Sequence, residues 1–217
     1  MSLKKTLLVT CLLAVSGSAM AATTADLMVT GKIVPAGCNV TIGNGAPLDL
    51  GDINVSSLNQ DAPTSLVVPS IPFNITCTGP VALSTGWIDN RASNGVYPSP
   101  APTRFSMGKD SADTPIGHLW IQHGSGESVQ VTGNGSEVVA NVIFSTDGGI
   151  NWANSTYGQA SQNHINSYAP VGEVTPAAYT TYTGTFKLKP QIAPANTLDL
   201  SSALTLDASA TMEVTYL

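Results

Sequence analysis

The chain has 217 residues, 14 of them acidic and 8 basic, for a formal net charge of −6. So few cations on an acidic chain exclude nucleic-acid binding through phosphate contacts. Only 10% of residues are charged, and the abundance of Thr, Ser, Asn, Gly and small apolar residues fits an exported β-rich protein with neutral polar surfaces.

Residues 1–21 read as a secretory signal. Lys4 and Lys5 form a basic start, Leu7 to Val15 an apolar stretch too short to span a bilayer, and Ala19-Met20-Ala21 a small-residue cleavage site. What remains suits one large β domain. Two cysteines, Cys38 and Cys77, survive cleavage. In an oxidising compartment an even pair reads as a disulfide, and a loop of about 40 residues gives about 4 kcal/mol in the chain-entropy model.

Helix signals are almost absent. From Ala22 to Cys38, Ala25, Leu27, Val29, Gly31 and Ile33 share one face, the period-two pattern of a strand with one buried side. Asn39 to Ile42 continues it, and Asn44-Gly45 marks a turn. Pro47 to Ile53 alternates across Gly51, which predicts a strand with a bulge or bend. Leu66 to Cys77 is a strong strand broken at Pro69, with Val68, Ile71, Phe73 and Ile75 as core residues, and Val81 to Ile88 is another. Asp89 to Thr114 lacks periodicity and reads as a surface excursion.

Ile116 to Gln122, Val129 to Val131 and Val138 to Ser145 are further strands, separated by turns at Gly133-Asn134-Gly135 and Asp147-Gly148-Gly149. Asn151 to Thr175 reads as polar loop, and Tyr179 to Pro190 alternates. The last strand is the longest: Leu204, Leu206, Ala208, Ala210, Met212, Val214 and Tyr216 face one way. Seven or more short strands with a disulfide predict an antiparallel β-sandwich. Both chain ends are long alternating strands whose apolar faces need cover. The first strand either pairs with the last inside one molecule or leaves to complete another, a form of β-augmentation.

These residues resemble the chaperone–usher pilins, the type 1-like fimbrial subunits, in a beta-fimbrial branch with long loops. The resemblance rests on LMVTGKIVPAGC at Leu27 to Cys38, LDLGDI at Leu48 to Ile53, Phe73-Asn74-Ile75 before the second cysteine, and Ala210 to Leu217 with Tyr216 second from the end. It implies an all-β, incomplete immunoglobulin-like antiparallel β-sandwich (the pilin fold), completed by a donated strand. Residues 22–31 would be the donor arm and 32–217 the pilin domain. Thr23, Ala25, Leu27, Val29 and Gly31 would enter a neighbour's groove. Leu204 through Tyr216 would line one wall of the chain's own groove and meet the chaperone. The implied partners are a periplasmic pilus chaperone, an outer-membrane usher and neighbouring pilin subunits, and the implied location is a fimbria at the cell surface. The chain differs from the family at Ala25 and Leu204, where glycine is frequent.

No enzyme is expected. His118, His123 and His164 lie in or beside strands without metal or catalytic spacing, and no cofactor is implied. Ser145-Thr146-Asp147-Gly148-Gly149 lacks the further carboxylates of a calcium loop. Trp87, Asp89, Asn90 and Arg91 with Trp152 form a candidate patch for a host glycan, in a minor or tip-proximal adhesive subunit. The competing reading of that patch is a buried Trp beside a capped turn.

Overall fold

The structure, a computed structural model, describes residues 37–123, 129–133 and 136–217. The segments expected to be a signal and a donor arm, including Thr23, Ala25, Leu27, Val29 and Gly31, lie outside the described residues.

The protein is all-β. Twelve strands occur among the described residues: β1 (Cys38–Ile42), β2 (Thr64–Ser65), β3 (Ile71–Val81), β4 (Leu83–Asp89), β5 (Phe105–Ser106), β6 (Gly117–Gln122), β7 (Val129–Gly133), β8 (Ser136–Ser145), β9 (Ala153–Asn154), β10 (Ile165–Pro170), β11 (Tyr179–Ile192) and β12 (Ala210–Tyr216). They form a curled antiparallel sheet with the path β1-β3-β11-β7-β8-β10-β4-β12. No helix among the described residues is long and apolar enough to cross a membrane.

Alternation explains which side each strand buries. In β3, Phe73, Ile75 and Cys77 point inward while their neighbours are exposed. β12 follows the same rule, with Ala210, Met212 and Val214 packed against the core and Thr211, Glu213 and Thr215 outward. The main core gathers Phe73, Ile75, Leu83, Trp87, Phe105, Val131, Tyr168, Tyr182 and Phe186. Tyr182 is fully buried, and its hydroxyl donates to the carbonyl of Val81 and accepts from the N–H of Tyr179, so its one polar atom is satisfied.

β11 is 14 residues long and serves two neighbourhoods. Its first half pairs with β3 and β7, and its second half with β6 and β2. A second, smaller core sits beyond this second half, where Ile116, Ile192, Ala193 and Leu198 are buried. Gly117 permits the close β6–β11 approach: a Cβ there would lie 2.0 Å from the Gln191 carbonyl oxygen.

The predicted disulfide is formed between Cys38 and Cys77, which face each other across the β1–β3 ladder. Three expectations change. Pro47 to Ile53 has no strand partner among the described residues, and Gly51 bends it at φ 64°. The final alternating run divides, because only Ala210–Tyr216 joins a ladder, on β4. The stretches read as loop contain β5, β9 and β10, the last of which fills the sheet between β8 and β4.

Candidate functional site

The two ends of the sheet path do not pair. Among the described residues β1 pairs with β3 alone and β12 with β4 alone. They nevertheless meet at one point, where the N–H of Cys38 donates to the Tyr216 hydroxyl at 2.9 Å. Away from that point the chain segments continuing from both edges border an open groove of about 860 Å³.

One wall is the segment from Pro47 to Ile53, and the other runs from Leu198 to Ala208. Neither wall has a strand partner among the described residues. The floor is apolar, made by Met107, Ile116, Leu119, Leu188 and Ile192. Leu48, Leu50 and Ile53 project from the first wall, and Leu200, Leu204 and Leu206 from the second. The groove therefore combines two kinds of unmet demand. Side chains of its walls leave apolar surface open to water, Leu48 being 39% exposed above the buried Met107, Ile116 and Ile192, and the walls are backbone outside any ladder, bent at Gly51 and at Ser201 and Ser202. An extended apolar segment laid between them answers both.

The second wall is held in place from the 89–111 excursion. Asp110 is buried. Its carboxylate accepts from the N–H groups of Ala112, Thr114 and Asp199 at 2.8–2.9 Å. These bonds, led by that of Asp199, hold the Asp110 carboxyl below its usual range against the opposing effect of burial. The Asp199 carboxylate in turn accepts from the hydroxyls of Ser111 and Ser201, which lowers it to about 2. Further along, the N–H of Asp207 donates to the Met107 carbonyl, and its carboxylate receives Arg91 through two nitrogens at 2.6 and 3.2 Å. Asn90 donates to the hydroxyls of Ser209 and Thr211.

The residues anticipated at the groove divide accordingly. Leu204, Leu206 and Ala208 line it. Ala210, Met212 and Val214 pack on the main core as part of β12. Tyr216 is 48% exposed, with its hydroxyl on Cys38. The floor residues were not anticipated as a site. Leu119 and Leu188 stand in strands that were legible, whereas Met107 follows β5 in a stretch read as loop, and their convergence depends on how β5, β6 and β11 stack.

The residues of the anticipated glycan patch divide between the core, ties to other segments and a turn. Trp87 is 7% exposed and packs edge-on against Phe105 and Phe186. Asp89 accepts from the N–H groups of Arg91 and Ser106, while Asn90 and Arg91 tie down the terminal segment. Trp152 donates to the Gly149 carbonyl within the turn that Asp147 organises. That carboxylate accepts from the N–H of Asn151, the Ser145 hydroxyl and the Asn151 amide, which lower it to about 2. Among the described residues no three His, Cys, Asp or Glu side chains gather to hold a metal ion.

No curated protein matches the chain. Over residues 27–117, from the anticipated arm to the start of β6, the chain is similar to a family described as "Protein of unknown function (DUF1120)".

Proposed function

We propose that the protein is a structural subunit of a surface fimbria, an incomplete immunoglobulin-like sandwich whose groove receives a strand from a neighbouring subunit. The observation that carries this reading is the open apolar groove between two walls without ladder partners among the described residues. A strand added there would pair its backbone with either wall and bury alternate side chains between the leucines of the walls. The chain's own segment from Ala25 to Ile33 has that alternation. Before assembly a periplasmic chaperone covers the groove, and an outer-membrane usher exchanges it for the arm of the next subunit.

The test is expression of the full chain and of a form lacking residues 22–29, each with a periplasmic chaperone. The shortened chain is expected to bind the chaperone through its intact groove and to form no fibres. Fibres unchanged by the deletion would overturn donation by the arm. A stable monomer obtained without any chaperone would favour a sandwich that completes itself.

A further inference from the structure

The excursion between β4 and β6, with Asp89 and Gln162, lines a second cavity of about 360 Å³, open to solvent, that shares no lining residue with the groove. Val96, Pro100 and Pro102 give it apolar sides, and Asp89, Arg104 and Gln162 supply its polar groups. Asp89 is only 8% exposed, and among the described residues no cationic nitrogen lies within salt-bridge distance of it. Each of its oxygens accepts one backbone N–H at 2.8 Å, which leaves further acceptor capacity on both. Arg104 spends Nη1 on the carbonyl and hydroxyl of Ser99, and its other N–H groups meet no acceptor among the described residues. Gln162 donates through Nε2 to the Arg104 carbonyl, so its Oε1 is open to a donor.

We propose that this cavity binds a saccharide, with Asp89 and Gln162 accepting from its hydroxyls and Arg104 donating to its oxygens. Three features select that class. The lining supplies both acceptors, Asp89 and Gln162, and a donor, Arg104, and a hydroxyl is the group that serves both at once. The proline and valine walls suit the C–H face of a sugar ring. The volume falls at the small end of the roughly 300–1,000 Å³ range for small-molecule sites. A lone carboxylate is too few ligands for a hard cation. A phosphate would be repelled by Asp89, and a purely apolar ligand would leave the remaining acceptor capacity of that carboxylate unused. The ligand class matches the one anticipated from sequence, but of that patch only Asp89 lines this cavity. The proposal stands apart from strand exchange and survives or fails without it.

The experiment is saturation-transfer NMR on the full-length protein with glucose, galactose, mannose, N-acetylglucosamine and N-acetylneuraminic acid as probes. Two variants accompany it. Ala101→Trp fills the cavity from its lining and leaves the bonds of Asp89 intact, and Arg104→Gln removes the guanidinium donors. At least one sugar is expected to give signal, with its dissociation constant raised tenfold or more by either variant while the circular dichroism spectrum stays unchanged. Silence from all five sugars, or a signal indifferent to both variants, would overturn the proposal.

Discussion

Lowering the pH from 7.5 to 4 should weaken the fold through one buried imidazole. His123 is 3% exposed, and its ring packs against Phe73, Phe186 and Tyr168. Nδ1–H donates to the Gly158 carbonyl at 2.7 Å, and Nε2 accepts from the Tyr168 hydroxyl at 3.2 Å. Burial pushes the imidazole down from 6.5 to about 4, with the Gly158 carbonyl opposing. The native ring is thus neutral where the unfolded chain already takes up a proton. Its contribution is complete above pH 6.5 and is lost as pH falls from 6.5 to about 4, an integrated cost of about 3 kcal/mol. That is a large share of a typical stability of roughly 5–15 kcal/mol.

Urea unfolding followed by tryptophan fluorescence at four pH values between 7.5 and 4 would measure the loss. Burial also lowers His118, which adds to the same window. The comparison therefore needs His123→Gln, which should be less stable at neutral pH but show a shallower decline. The carboxylates of Asp147 and Asp199 are held near 2, so their stabilisation is lost only below the ordinary value of 3.8. They fall outside this window. Identical pH slopes in the two proteins would refute the assignment to His123.

Three substitutions test the frame around the groove. Gly117→Ala places a Cβ 2.0 Å from the Gln191 carbonyl oxygen, and overpacking of that severity should cost about 3 kcal/mol in the same unfolding assay. Asp110→Ala leaves the Asp199 N–H without its acceptor and should lower stability by about 2 kcal/mol; hydrogen exchange should rise at Asp199 before it rises in β12. Tyr216→Phe removes the bond from Cys38 at a half-exposed site, so the expected loss is about 1 kcal/mol or less. It should speed amide exchange at Cys38 and leave β3 unchanged.

Strand alternation made much of this architecture legible. Phe73 and Ile75 in β3, and Ala210, Met212 and Val214 in β12, bury the faces that their spacing predicts. The disulfide followed from two cysteines in a chain whose start reads as a secretory signal. β10 was hidden because INSYAP buries Asn166 and Ser167 beside Tyr168, so polarity disguised a central strand. Ser167 is tolerated there because its hydroxyl donates to the Leu83 carbonyl. Leu204 and Leu206 continue the pattern of β12 without joining its ladder, because periodicity reports a face and not the partner that covers it. Trp87 stands in a strand, and its neighbours Asp89, Asn90 and Arg91 look like a ligand patch in one dimension. Their bonds to Ser106, Ser209 and Asp207 reveal them as ties between distant segments.

The pairing of β12 with β4 has a kinetic consequence. Asn90 and Thr211, bonded across this junction, are separated by 121 residues. Ladders between such remote segments bear the full entropy of loop closure before any contact compensates it, and they form slowly. Strand β12 is thus one of the last able to dock. Until it does, Trp87 and its neighbours on β4 lack the cover that Met212 supplies. Slow closure at this edge gives the nascent chain an interval of exposed strand, the condition under which antiparallel proteins aggregate or enlist help.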